Sequence, residues 1–272
     1  MYLTSMKSSK LIYTGYRLYK AFLVSLKYSK KVFRHAIKSK ETATFTYNLT
    51  PENEAYLINL VAGIVKADAE VIESYFSELR ENKELKETII SYLQQSAFKM
   101  KKDKRCDYGS KLAFYAIIRA SKPKVVVENG VEVGFTSIVL CEAIRKNIEE
   151  GFKGNFIGLD INNEAGDLIK VGSIYKSFFE IKYGDAIESL NLLKESIDFY
   201  FSDGLRTYDY EQDEFACLRK KLNNRSIVIT NKASFSKALY ELSLELKRKF
   251  SFFKEHPLGH WYEGSGIGIM HP

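Results

Sequence analysis

The sequence predicts an α/β protein: a parallel sheet that ends in an antiparallel hairpin, preceded by a helical N-terminal region. Three observations carry this. From Lys124 onward, short β-branched runs alternate with helix-periodic stretches over about 125 residues, the pattern of a parallel sheet covered on both faces. The last two strand-like runs, 250–255 and 266–270, have no helix between them, so they can pair only antiparallel through the loop 257–264. Upstream of Lys124 the apolar spacing is helical apart from a connector and a basic run.

Taken in order, residues 11–38 form an amphipathic helix. Leu11, Leu18, Phe22, Leu26, Phe33 and Ile37 fall on one side at about 100° per residue, with Tyr19 and Leu23 flanking. Arg17, Lys20, Lys27, Lys31, Arg34 and Lys38 fall roughly opposite. Residues 40–50 read as a connector. Thr50-Pro51-Glu52-Asn53 starts a helix with proline at its first position. Helices then fill 51–121, with breaks near Ala67 and Asn82; Val71, Ile72, Tyr75, Phe76 and Leu79 keep the spacing. A basic run, 99–105, reads as a solvated loop before a helix over 110–120. The expected strands are 124–128, 155–160, 178–183, 197–202 and 226–230. Between and after them lie helices over 136–146, 165–175, 186–194, 210–221 and 234–247.

Composition narrows the class. With 272 residues, 45% hydrophobic and 28% charged, the chain folds and is not disordered. Three cysteines, Cys106, Cys141 and Cys217, are odd in number and widely separated, which argues against a disulfide framework or a structural zinc site. The net charge of +7 is uneven: residues 1–40 hold ten Lys/Arg and no acid, leaving 31 basic against 34 acidic residues in 41–272. A nucleic-acid enzyme needs positive charge around its site, so that class is not expected. The apolar run at 113–118 is far short of the roughly 20 residues a bilayer span needs. The N-terminus has no signal-peptide core and is rich in Lys and Tyr where a transit peptide is rich in Arg. The expected location is cytoplasmic. The basic helix packs on the body or a second subunit, as in a homodimer, or touches an anionic membrane surface through residues 11–38 at the inner membrane face, or meets RNA or another acidic partner.

Ligands of open α/β sheets bind beyond the carboxyl ends of the strands, so the residues there are the candidates. After the first strand comes Glu128-Asn129-Gly130-Val131-Glu132-Val133-Gly134-Phe135-Thr136-Ser137. Gly130 and Gly134 permit a tight turn and close approach of backbone to ligand, and Thr136 or Ser137 can cap the next helix. Asp160 follows the second strand, 26 residues beyond Gly134, where a carboxylate can accept both ribose hydroxyls. Asp185-Ala186 follows the third, where an acid can take an adenine amino group, and Asp203 follows the fourth.

At these residues the chain resembles the class I S-adenosylmethionine-dependent methyltransferases, most of all bacterial small-molecule and sugar O-methyltransferase-like families. The lead-in Tyr108-Gly109 … Tyr115 … Arg119 … Lys122-Pro123-Lys124-Val125-Val126-Val127-Glu128 adds to the likeness, which covers residues from about 107 to 270. The resemblance implies a Rossmann-like, seven-stranded, mostly parallel sheet with its last strand reversed. It implies that Glu128, Gly130 and Gly134 hold the methionine part of S-adenosyl-L-methionine, Asp160 the ribose and Asp185-Ala186 the adenine. It divides the chain into a basic segment 1–45, a helical cap or accessory region 46–121 and a methyltransferase domain 122–272.

Two rivals are weighed against this reading. A nicotinamide dinucleotide site of an NAD(P)-dependent oxidoreductase wants Gly-x-Gly-x-x-Gly, but Glu132 stands at the middle glycine, where its charge would repel a pyrophosphate. A cationic sulfonium suits the carboxylates instead. A non-catalytic protein keeping the fold to bind a membrane or partner is the second alternative. It is motivated by the basic N-terminus and by Thr230-Asn231, which stand where related metal-dependent enzymes carry an acid. Asp203 and Asn231 are therefore the only ligands a divalent metal would find there, and metal dependence is not expected. Asn/Asp-Pro-Pro-aromatic, the motif of amino-group methyltransferases, is absent, since Ser202-Asp203-Gly204-Leu205 stands in its place. Methyl transfer to a hydroxyl of a small molecule or sugar needs alignment and a base. Candidate bases are Asp203, His260 and His256, while Arg206, Tyr208, Tyr210 and Trp261 are candidates for the acceptor pocket or a lid.

Overall fold

The acid-free stretch Tyr2–Lys38 forms one long helix, α1. Thr50 caps the next, α2 (Pro51–Val65), accepting a hydrogen bond from the Asn53 amide with proline at the first turn. The break expected near Ala67 is a left-handed Lys66 (φ 55°) followed by α3 (Ala69–Glu81); Asn82 separates α3 from α4 (Lys83–Gln95). Then follow α5 (Lys111–Ser121), β1 (Val125–Asn129), α6 (Phe135–Glu149), β2 (Asn155–Asp160), α7 (Asp167–Val171), β3 (Phe179–Tyr183), α8 (Ala186–Leu192), β4 (Ile197–Ser202), α9 (Tyr208–Leu218), β5 (Leu222–Asn231), α10 (Ala238–Glu245), β6 (Lys249–Phe253) and β7 (Ile267–His271). The computed structural model describes residues 2–41, 46–95, 105–171, 173–205, 207–231 and 233–272.

The seven strands make one sheet in the order β3-β2-β1-β4-β5-β7-β6. β1 to β5 are parallel, and β7 runs antiparallel between β5 and β6. The expected Rossmann-like sheet with a reversed last strand is thus what the chain forms. Alternation along the strands sorts side chains between two layers. Val126, Phe156, Phe199, Phe201, Ile227 and Ile229 share a core with α2 to α6. Val127, Ile157, Leu159, Tyr200, Val228 and Met270 pack against α8, α9 and α10 on the other face.

Three elements differ from expectation. The helix expected over 165–175 is only α7 plus a 3-10 turn at Ser173–Tyr175; Gly166, at φ 84°, stands outside the helix while its carbonyl accepts from the Lys170 amide at 3.1 Å. The helix expected from 234 starts at Ala238, after a turn in which Ser236 Oγ accepts from the Ala238 amide. β5 begins four residues early, at Leu222, hidden in the sequence by the turn-forming pair Asn223-Asn224. Part of the basic run at 99–105 lies outside the described residues.

Candidate functional site

Register places the site. Asn129 of β1 pairs with Ser202 of β4, and Ser202 with Thr230 of β5. Gly130, Asp203 and Asn231 therefore leave the sheet side by side, at the point where strand order reverses between β1 and β4. Asp160 ends β2 one strand away. These four residues line a cavity of about 530 Å³. Its other walls come from far along the chain: Lys111 and Phe114 of α5, and Tyr47 together with Glu255, Tyr262 and Ser265 of the β6–β7 loop.

The turn after β1 is shaped by glycine. Gly130 has φ 90°, and a Cβ there would meet the Asp203 carbonyl at 2.7 Å, so no other residue fits without moving the backbone. Gly134, φ 91°, is the N-cap of α6, which has no side-chain cap. The expected capping by Thr136 or Ser137 is not what forms: Thr136 lines the cavity, and the Ser137 hydroxyl donates to Glu128.

The carboxylates are held in distinct ways. Asp160 accepts the Glu132 amide and the Asn162 amide, each at 2.8 Å, which fixes it at the cavity rim. Glu128 is 1% exposed beneath the cavity. Burial pushes its carboxyl well above the ordinary value; the Ser137 hydrogen bond opposes this, and Asp203 and Asp160 add to it. Asp203 accepts from Asn231 Nδ2 at 3.0 Å, and Asn231 Oδ1 in turn accepts from Ser265 at 3.2 Å.

Asp185 stands apart from the cavity lining. Its carboxylate caps α8, accepting from the amides of Ile187 (2.9 Å) and Glu188 (3.0 Å), with Ala186 buried behind it. So of the three expected cofactor acids Asp160 lines the hollow with Asp203, Glu128 is buried outside its lining, and Asp185 lies further along the same edge of the sheet.

The histidines are not where a base is needed. His260 is 8% exposed, lies outside the cavity lining, and its Nε2 faces the Glu41 carboxylate at 3.3 Å. Its Nδ1 accepts from the Tyr262 amide at 3.0 Å, so the neutral ring carries its proton on Nε2, toward Glu41. The same proton stands against metal binding by His35, Glu41 and His260, the one three-residue group within ligand reach among the described residues. His256 is exposed, and its backbone pairs with Thr50 and Asn53. Trp261 packs on His35 and His260, at 5.4 and 6.2 Å between ring centres, and not over the cleft. Tyr208 donates to Glu241 at 2.6 Å; neither it nor Tyr210 lines the cavity, and Arg206 lies outside the described residues.

Sequence reasoning missed Lys111. It heads α5 and lines the cavity, its ammonium 5.2 Å from the Phe135 ring centre. Burial lowers its pKa, against the opposing charges of Asp203, Glu255 and Glu128. The available signal was one lysine at the head of the otherwise apolar run Leu112–Ile118, just after the glycine turn at Gly109.

The profile of the family described as Methyltransferase domain (Methyltransf_24) matches residues 127–231, from within β1 to the end of β5. No curated protein matches the sequence. Among solved structures, the chain is similar to the O-methyltransferase TomG from Streptomyces achromogenes, involved in tomaymycin synthesis and crystallised with SAM. Identity is 14% over 73% of this chain and 94% of that one, with a TM-score of 0.51. It is also similar to a methyltransferase from Geobacter sulfurreducens, at 15% identity over 75% and 96% of the two chains, with a TM-score of 0.51. At such identities the likeness is one of fold.

Proposed function

Because residues 127–231 match a methyltransferase domain, we propose that this protein moves a methyl group from S-adenosyl-L-methionine to a hydroxyl of a small molecule or sugar. The observation that carries the reading is the acid-rimmed cavity at the β1/β4 switch point, with Asp160 and Asp203 on its rim and Glu128 beneath it. The donor chemistry fits. Asp160 keeps acceptor capacity for ribose hydroxyls beyond the two amides it already holds. Gly130 brings backbone to the hollow at a point packed against the Asp203 carbonyl. Exposed Glu132 lines the same cavity with φ 51°, a poor neighbour for a pyrophosphate but a tolerable one for a cation.

When bound, S-adenosyl-L-methionine supplies an electrophilic methyl group on a positively charged sulfur. The chain's part is then to hold, orient and take up a proton. Glu128, Gly130 and Gly134 would receive the amino-acid end, Asp160 the ribose, and Asp185-Ala186 the adenine. Asp203 and Lys111, both in the cavity wall, are the groups that can take the acceptor's proton; a lysine lowered by burial has more of its free amine at a given pH. Tyr47, Tyr262 and Ser265 offer hydroxyls to a polar acceptor from the outer wall.

Isothermal titration with S-adenosylhomocysteine tests this. A dissociation constant on the order of 1–10 μM is expected, with at least a roughly tenfold weakening in Asp160→Ala, about 1.4 kcal/mol. Absence of heat at millimolar ligand would sink the reading.

A further inference from the structure

Along α1 the two faces differ in chemistry. Leu18, Leu11, Phe22, Phe33, Leu26 and Ile37 occupy an arc of about 100°, wide enough for an interfacial helix. Their exposures run from 41% (Leu26) to 81% (Ile37), so nothing among the described residues covers them. Arg34, Lys27, Lys20, Lys38 and Lys31 lie on the opposite arc, joined by Tyr13 and Val24, and the helix holds no acidic residue at all. From Lys10 to Tyr28 every side chain is exposed. No helix among the described residues is long and apolar enough to cross a membrane.

We infer that α1 docks on an anionic phospholipid bilayer, lying in the headgroup plane with Leu18, Phe22 and Phe33 buried toward the acyl chains. Charge selects this occupant. A second α1 would bring only cations against cations, with no carboxylate to pair, whereas lipid phosphates complement every Lys and Arg on the helix. Long Lys and Arg stems reach the headgroups while their methylenes stay in the apolar layer. The root of the helix also supports a fixed posture. His35 packs on His260 (5.2 Å between ring centres) and on Trp261, and its Nε2 lies 3.1 Å from the Glu41 carbonyl. Those aromatic residues belong to the loop that supplies Tyr262 and Ser265 to the cavity. Docking would thus hold the cleft beside the lipid surface.

Sedimentation of the full chain with vesicles tests the inference. Equimolar phosphatidylcholine/phosphatidylglycerol vesicles should pellet most of the protein, and pure phosphatidylcholine vesicles should pellet at least about tenfold less. Raising salt from about 0.1 to about 0.5 M should release it, since screening shortens the reach of headgroup charge. Leu18→Glu/Phe22→Glu/Phe33→Glu should stay in the supernatant with an unchanged unfolding midpoint, because those side chains have no cover to lose. Wild-type protein left in solution with anionic vesicles overturns the inference, as does equal pelleting of the triple variant. So does light scattering that shows a wild-type dimer which the triple variant dissolves, since the face would then be an interface between copies.

Discussion

Lys111 shows how one residue's environment sets its chemistry. It points from the head of an apolar helix into a cavity, and burial outweighs three nearby carboxylates, holding its pKa below 10.5. The neutral amine should therefore appear at lower pH than at the surface lysines. Reductive methylation with ¹³C followed by NMR titration reads this directly. One dimethyl-lysine resonance, missing in Lys111→Arg, should titrate below the rest; a common midpoint for all lysines would refute it. Glycine and acid positions were legible because each followed a strand-like run: Gly130, Asp160 and Asp203 all reached the cavity. Lys111, Tyr47 and Glu255 were not, since their place depends on pairing between distant segments. Tyr47 donates to Glu255 at 2.9 Å across most of the sequence, and no local pattern announces such a bond. His260 misled for the same reason. Nothing near it in sequence foretells that Glu41 claims its proton.

At the scale of elements, the parallel strands were read well because each is a short β-branched or aromatic run whose ends coincide with a turn signal. β2 and β4 occupy the expected residues. Helix ends were read less well, as where Gly166, at a positive φ, stands outside α7. Packing of the N-terminal helices on the sheet rests on a buried cation that no periodicity reveals. Arg119 of α5 is 3% exposed; it donates to Glu78 of α3, to Asn147 of α6 and to Glu150 at that helix's C-cap, and stacks on Tyr75 at 4.9 Å. Arg119→Met removes a charged donor from buried Asn147 and leaves two carboxylates that solvent reaches, so stability should fall by about 1–3 kcal/mol in urea unfolding. A loss below about 1 kcal/mol would mean the network is a solvated surface cluster.

For the whole molecule, the two cores meet in a single sheet, so stability and site share residues. Glu128 is the clearest case. Its folded carboxyl sits well above its ordinary 4.5, chiefly through burial, so the native chain keeps a proton that the unfolded chain releases near pH 4.5. Stability therefore falls as pH rises from 4.5 through the raised native value. Glu128→Gln keeps an acceptor for Ser137 and removes that burden. At pH 8 it should unfold at a higher midpoint than the wild type, with the difference closing at pH 4. An equal difference at both pH values would contradict the assignment. The charge asymmetry was plain in the sequence: the body is near neutral, and the basic excess is the helix that stands clear of it.

β7 is made after both of its neighbours, yet it slots between them. A ribosome that has released β1 to β5 has already delivered Gly130, Asp160, Asp203 and Asn231, which line the hollow. It has not delivered Glu255, Tyr262 or Ser265, and Tyr47 waits for them. Nascent chains thus carry an open carboxylate shelf with an unsatisfied β5 edge, and the enclosed chamber arises only when late residues thread back toward early ones. Late, long-range closure of this kind should slow the final folding step, which refolding kinetics would read.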